Sequence, residues 1–205
     1  MEVVQSFVID WAVAARPLSG QVSSGDLHVV KEFPGGVLLA AIDGIGHGQE
    51  ARDAARTAGT VLESCAQEPV TALVRRCHDR LRGTRGVVMS VASFQVSQGV
   101  LAWVGVGDVQ GVLIRRTPAQ APVEATLLRR AGVVGVQLPQ LQADVLPVSL
   151  GDTLVFATDG VEAGFSRTSA RQLAPQAAAD GILARYGKAT DDALVLVARY
   201  LRGRT

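Results

Sequence analysis

The sequence predicts an α+β protein built on mainly antiparallel sheets. Apolar, β-branched runs come in groups, and the amphipathic helical stretches are segregated between those groups, whereas a parallel sheet would alternate strand and helix. Pro34-Gly35-Gly36 stands between two such runs and signals a hairpin. With 205 residues, 48% of them hydrophobic, the chain can bury a sizeable core, and a single domain over 1–205 is expected.

The elements follow in order. Val3 to Ala14 reads as a strand, which Arg16-Pro17-Leu18-Ser19-Gly20 breaks. Leu27 to Phe33 and Val37 to Ile42 are the arms of the hairpin. If its turn centres between Pro34 and Gly35, facing residues have numbers that sum to 69, so Asp26 and Asp43 meet at the open end. From Gln49 to Ala66, small or apolar residues at Ala51, Ala54, Ala55, Ala58, Val61, Leu62 and Cys65 keep the 3.6-residue period of an amphipathic helix. Val70, Leu73, Val74, Cys77 and Leu81 repeat it after Pro69, a residue suited to a helix start. Gly86 to Gln95 and Val100 to Arg115 are β-rich, and Thr126 to Arg130 continues the meander. Ala143 to Val148 and Thr153 to Ala157 are further strands. A helical stretch from about Ser169 to Tyr186 then precedes a last strand, Ala193 to Tyr200.

Twenty basic against nineteen acidic side chains give a formal charge of +1, so no strong field draws nucleic acid or an anionic membrane. The longest apolar stretches are about ten residues, against roughly 20 for a membrane helix. Two cysteines, Cys65 and Cys77, fall on helical stretches, and the chain opens without a signal-peptide pattern, which together suggest a reducing cytoplasm.

Chemistry concentrates at strand ends. Asp43 and Asp159 each close an apolar run and precede a glycine, Asp26 opens a run after Ser24-Gly25, and Asp191-Asp192 opens the last one. A lone Asp-Gly is ordinarily a turn. Gathered carboxylates, however, repel one another and stay ionised at neutral pH only beside cations, and oxygen-only ligation suits Mg²⁺ or Mn²⁺. His28, His47 and His78 lack paired zinc spacing, and Asp43-Gly44-Ile45-Gly46-His47-Gly48 lacks the acids of a calcium-binding EF-hand loop. The same glycines imitate a dinucleotide fingerprint, but the third comes one residue early and Asp43 would repel a pyrophosphate.

Ser24-Gly25-Asp26, Asp43-Gly44-Ile45-Gly46-His47-Gly48, Thr158-Asp159-Gly160 and Asp191-Asp192-Ala193, in this order, resemble the metal-dependent serine/threonine protein phosphatases (type 2C, PPM), in their bacterial sporulation and stress-response branch. The resemblance spans about residues 5–200. It implies a four-layer αββα sandwich and two Mn²⁺ or Mg²⁺ ions at one end. Asp43 would bridge the ions, the Gly44 carbonyl would ligate one, Asp26 would serve that side, and Asp159 and Asp191 would hold the other, with Asp192 a lesser candidate. Gly25 stands where eukaryotic members often carry Glu, which implies a looser second ion. His47 is the candidate proton donor to the leaving alkoxide, although those members place a His directly after Asp-Gly. Asp108, after Val104-Gly105-Val106-Gly107, resembles the position that supports a weak third ion. Arg16 is placed to reach substrate phosphate. The implied substrates are phosphorylated STAS-domain proteins of a stress-signalling complex. The alternative is a phosphatase-like binding protein without strong activity.

Overall fold

The computed structural model describes residues 8–20, 24–117, 123–165 and 172–201. Its elements are β1 (Ile9–Arg16), β2 (Asp26–Phe33), β3 (Gly36–Gly44), α1 (Gln49–Ser64), α2 (Val70–Arg80), β4 (Val87–Gln95), β5 (Val100–Val106), β6 (Gln110–Ile114), β7 (Glu124–Thr126), β8 (Arg129–Arg130), β9 (Asp144–Pro147), β10 (Thr153–Ala157), α3 (Pro175–Tyr186) and β11 (Ala193–Tyr200). One sheet runs β1-β11-β10-β6-β7 and the other β2-β3-β4-β5-β8, with β9 also on β5. Every strand pair is antiparallel except β5 with β8. The expected α+β class is what the chain adopts.

Side-chain alternation explains the layering. Along β3, Val37, Leu39 and Ala41 enter an inter-sheet core with Phe94, Trp103, Phe156 and Leu196, while Leu38, Ala40 and Ile42 face the other way, against α1 and α2. Along β11, Leu194, Leu196 and Ala198 join the inter-sheet core, and Ala193, Val195 and Val197 pack with Ala178, Ala179 and Ile182 of α3. Both central strands are therefore apolar on both faces. Helix, sheet, sheet, helix is the implied αββα sandwich. Each fully buried Leu, Ile or Phe of these cores contributes about 1.5–3 kcal/mol.

Four boundaries differ from expectation. The first strand begins at Ile9 and runs on to Arg16, and residues 1–7 lie outside the described set. The last helix starts at Pro175, whose fixed φ suits a first turn; residues 169–171 of its expected start are also outside that set. Val100 to Arg115 is two strands in different sheets. Gly107 breaks it with φ 89°, a left-handed conformation that costs glycine little, and the chain crosses there from one sheet to the other. Thr126 to Arg130 likewise divides between the sheets as β7 and β8.

Candidate metal centre

The hairpin register holds along its whole length, from Phe33 opposite Gly36 to Asp26 opposite Asp43. These two carboxylates come from one sheet. Asp159 follows β10 and Asp191 precedes β11, neighbouring strands of the other sheet, so the four acids meet where the ends of the two sheets face each other. Thr158 joins the halves. Its hydroxyl donates to Asp26 Oδ2 (2.8 Å) and accepts from the Leu194 N–H (2.9 Å).

Neither Asp-Gly glycine is a left-handed turn residue. A Cβ on Gly44 would collide with the Ala51 backbone in the first turn of α1, and one on Gly160 with the carbonyl of Asp192. Close backbone approach requires these glycines. It presses α1 onto the end of β3 and draws Asp159-Gly160 against Asp191-Asp192.

Electrostatics identify the cluster. Burial, then repulsion from Asp26, Asp159, Asp108 and Asp191, raises the Asp43 carboxyl from 3.8 to about 8. Burial likewise raises Asp26 to about 7, opposed by the Thr158 hydrogen bond and reinforced by Asp192, Asp159 and Asp191. Asp159 is raised by burial, Asp191 and Asp108, and lowered by Lys188. Among the described residues no ion pair neutralises any of these acids. The donors are oxygens and the surplus charge is negative, so a hard divalent cation fits in charge and donor type. No three acidic, thiol or imidazole groups among the described residues already close on one point.

The remaining expected residues divide. Asp108 is exposed at the sheet crossing, near enough to act on Asp43 and Asp159. His47 is exposed in the glycine loop and makes no side-chain hydrogen bond among the described residues. Asp192 is buried, and its carboxylate accepts the N–H groups of Leu18 (2.6 Å) and Gly25 (2.7 Å). It anchors the loop before Asp26. Arg16 donates from Nη2 to the Lys188 carbonyl (2.6 Å), so it ties down a backbone segment. Sequence reasoning missed Thr158 and Lys188; the signal for Thr158 was present in Thr-Asp-Gly. The glycine loop joins β3, antiparallel to both neighbours, to α1, so the parallel βαβ unit a dinucleotide fingerprint needs is absent among the described residues. A groove of about 500 Å³ lies along α1, lined by Glu50, Asp53, Thr57 and Arg85 and by none of the four rim acids.

Comparison with known proteins supplies the family. The profile of Stage II sporulation protein E (SpoIIE) matches residues 34–201. Phosphoserine phosphatase RsbX of Bacillus subtilis (strain 168) is 26% identical over 94 residues, 46% of this chain and 47% of that protein, so the match spans about half the length of that curated relative. Among solved structures, one described as the bacterial stressosome, a modular system adapted to control secondary messenger signalling, is 29% identical with a TM-score of 0.84, covering 93% of this chain and 99% of that one. RsbX in complex with magnesium superposes with a TM-score of 0.82 at 19% identity, covering 94% and 95%, and this likeness speaks to the fold. The PP2C phosphatase domain of Bacillus subtilis SpoIIE gives a TM-score of 0.74 at 17% identity, covering 96% of this chain and 63% of that one. Matched over most of its length by the family profile and sharing the PP2C sandwich, the chain belongs to the SpoIIE family.

Proposed function

We propose that this chain, as one PPM-type domain, is a metal-dependent phosphoserine/phosphothreonine protein phosphatase. The observation that carries the proposal is the rim of mutually repelling carboxylates, unpaired with any base among the described residues, on a SpoIIE-family sandwich. Two Mn²⁺ or Mg²⁺ ions would be held by Asp26, Asp43, the Gly44 carbonyl, Asp159 and Asp191. When bound, the ions supply Lewis acidity that activates water against a phosphoester without a protein nucleophile.

The chain's own residues prepare the site. Thr158 favours the charged form of Asp26, Asp192 fixes the loop that leads to it, and the close contact at Gly44 holds the end of β3 beside α1. Exposed in the glycine loop, His47 can give a proton to the departing serine or threonine oxygen. The substrates are phosphorylated STAS-domain proteins of a cytoplasmic stress-signalling complex, a reading supported by similarity to RsbX and to the stressosome structure.

Mn²⁺-dependent hydrolysis of p-nitrophenyl phosphate and of phosphorylated STAS proteins is expected, with loss of more than about a hundredfold in Asp43→Asn and roughly ten- to a hundredfold in His47→Gln. Wild-type protein that binds phosphorylated STAS partners without releasing phosphate would instead make it a binding protein. That second reading is favoured by Gly25, which leaves one carboxylate fewer at the rim.

A further inference from the structure

The acidic rim carries a cation that the motifs do not name. Lys188 follows α3, and three contacts fix it. Its N–H donates to the Gly160 carbonyl (2.8 Å), its carbonyl accepts from Arg16 Nη2 (2.6 Å), and its Nζ donates to the Asp159 carbonyl (2.6 Å). The same segment is tied again where Val161 pairs with Gly187 and the Glu162 N–H donates to the Tyr186 carbonyl (2.8 Å). A lysine usually spends its rotamer freedom in solvent. This one is tethered at both backbone groups and at its tip.

Its charge is nevertheless uncommitted. The side chain is exposed, and among the described residues the ammonium pairs with no carboxylate. One donor serves Asp159 and the others remain for a ligand. The chain has 20 basic side chains, of which only Lys31 and Lys188 are lysines, so a compact point charge stands here in a protein that otherwise uses guanidinium.

A phosphoester approaching this rim brings negative charge toward a cluster of acids. We infer that Lys188 is a substrate-binding residue whose ammonium takes a non-bridging phosphate oxygen beside Asp159, with Arg16 as the positioning residue that holds its segment. The inference deepens the phosphatase reading and rests on it.

Inorganic phosphate binding to the Mn²⁺-loaded protein, followed by calorimetry, tests the assignment without requiring turnover. Lys188→Met is expected to weaken phosphate about tenfold, the scale of one charge-assisted hydrogen bond, and to raise KM for p-nitrophenyl phosphate by a similar factor with kcat within about threefold. Mn²⁺ affinity should hold or tighten, because a positive charge has left the rim, and Lys188→Arg should restore most of the phosphate affinity. Unchanged phosphate binding in Lys188→Met, or no phosphate binding by the wild type, overturns the inference. So does a loss of Mn²⁺ affinity and melting temperature that Lys188→Arg fails to rescue, since Lys188 would then only brace the Asp159 carbonyl. Weakened phosphate binding in Lys188→Met with no hydrolysis by the wild type upholds Lys188 and removes the phosphatase reading; hydrolysis by both proteins with equal KM removes Lys188 alone.

Discussion

Asp43 and Asp26 hold protons in the metal-free fold that the unfolded chain would release. With carboxyls raised from 3.8 to about 8 and about 7, the native state binds more protons than the unfolded one between about pH 4 and 8. Metal-free stability should therefore fall as pH rises through that window and level off above it. Urea midpoints measured in EDTA from pH 5 to 9 check the slope, which Asp43→Asn should flatten. Metal binding displaces the same protons, so Mn²⁺ affinity should rise with pH across the window. At Gly25, an added Cβ would meet Ala51, Asp192 and the Gly44 carbonyl only at ordinary contact distances. Gly25→Glu should fold and tighten the weaker ion about tenfold, a change that two-site calorimetry reads directly. Residues such as Thr158 and Asp192 were hard to assign from sequence for a physical reason. Their partners lie 132 and 167–174 positions away, and no local pattern encodes which hydroxyl or carboxylate meets which backbone across a sandwich.

Elements were more legible, because periodicity and turn chemistry act locally. The hairpin arithmetic worked since Gly35, at φ 91°, fixes a tight turn and the turn fixes the register. The β-rich run Val100 to Arg115 was less legible, because at Gly107 it divides into β5 and β6. A glycine in such a run marks a break without saying which sheet receives the next strand. A second hidden feature lies at the far end of β6. Asp152, fully buried, pairs with Arg115 (2.9 Å) and accepts the N–H groups of Arg116 (2.9 Å) and Ser149 (3.0 Å), while Arg115 also donates to the Pro147 carbonyl. This network ties β6, β9 and the turn before β10 together. Asp152→Ala leaves a nearly buried guanidinium without its counter-charge and should cost about 3–5 kcal/mol in chemical denaturation, with Mn²⁺ affinity of the folded fraction unchanged.

At the scale of the whole molecule, the candidate centre draws its acids from both sheets, with Asp26 and Asp43 on one and Asp159 and Asp191 on the other. An ion bound there would staple the layers beside the Thr158–Asp26 hydrogen bond, which already links them. Saturating Mn²⁺ should raise the melting temperature by several degrees, following the mass-action term for a ligand that binds only the folded state, and Asp43→Asn should lose that rise.

The strand order also sets a sequence of events in time. β2 with β3 and β4 with β5 are hairpins that short loops close quickly, and β3 meets β4 across the helices α1 and α2. Among the described residues β1 has one strand partner, β11, and Ile9 meets Tyr200 only after β11 has been made. A ribosome-bound intermediate therefore carries Asp26 and Asp43 together with an unpaired β1, and its half-built site waits on β10 for Asp159 and on the start of β11 for Asp191. During that interval the protein is open to edge-to-edge association, and delivery of its last strand ends the exposure and completes the centre in one step.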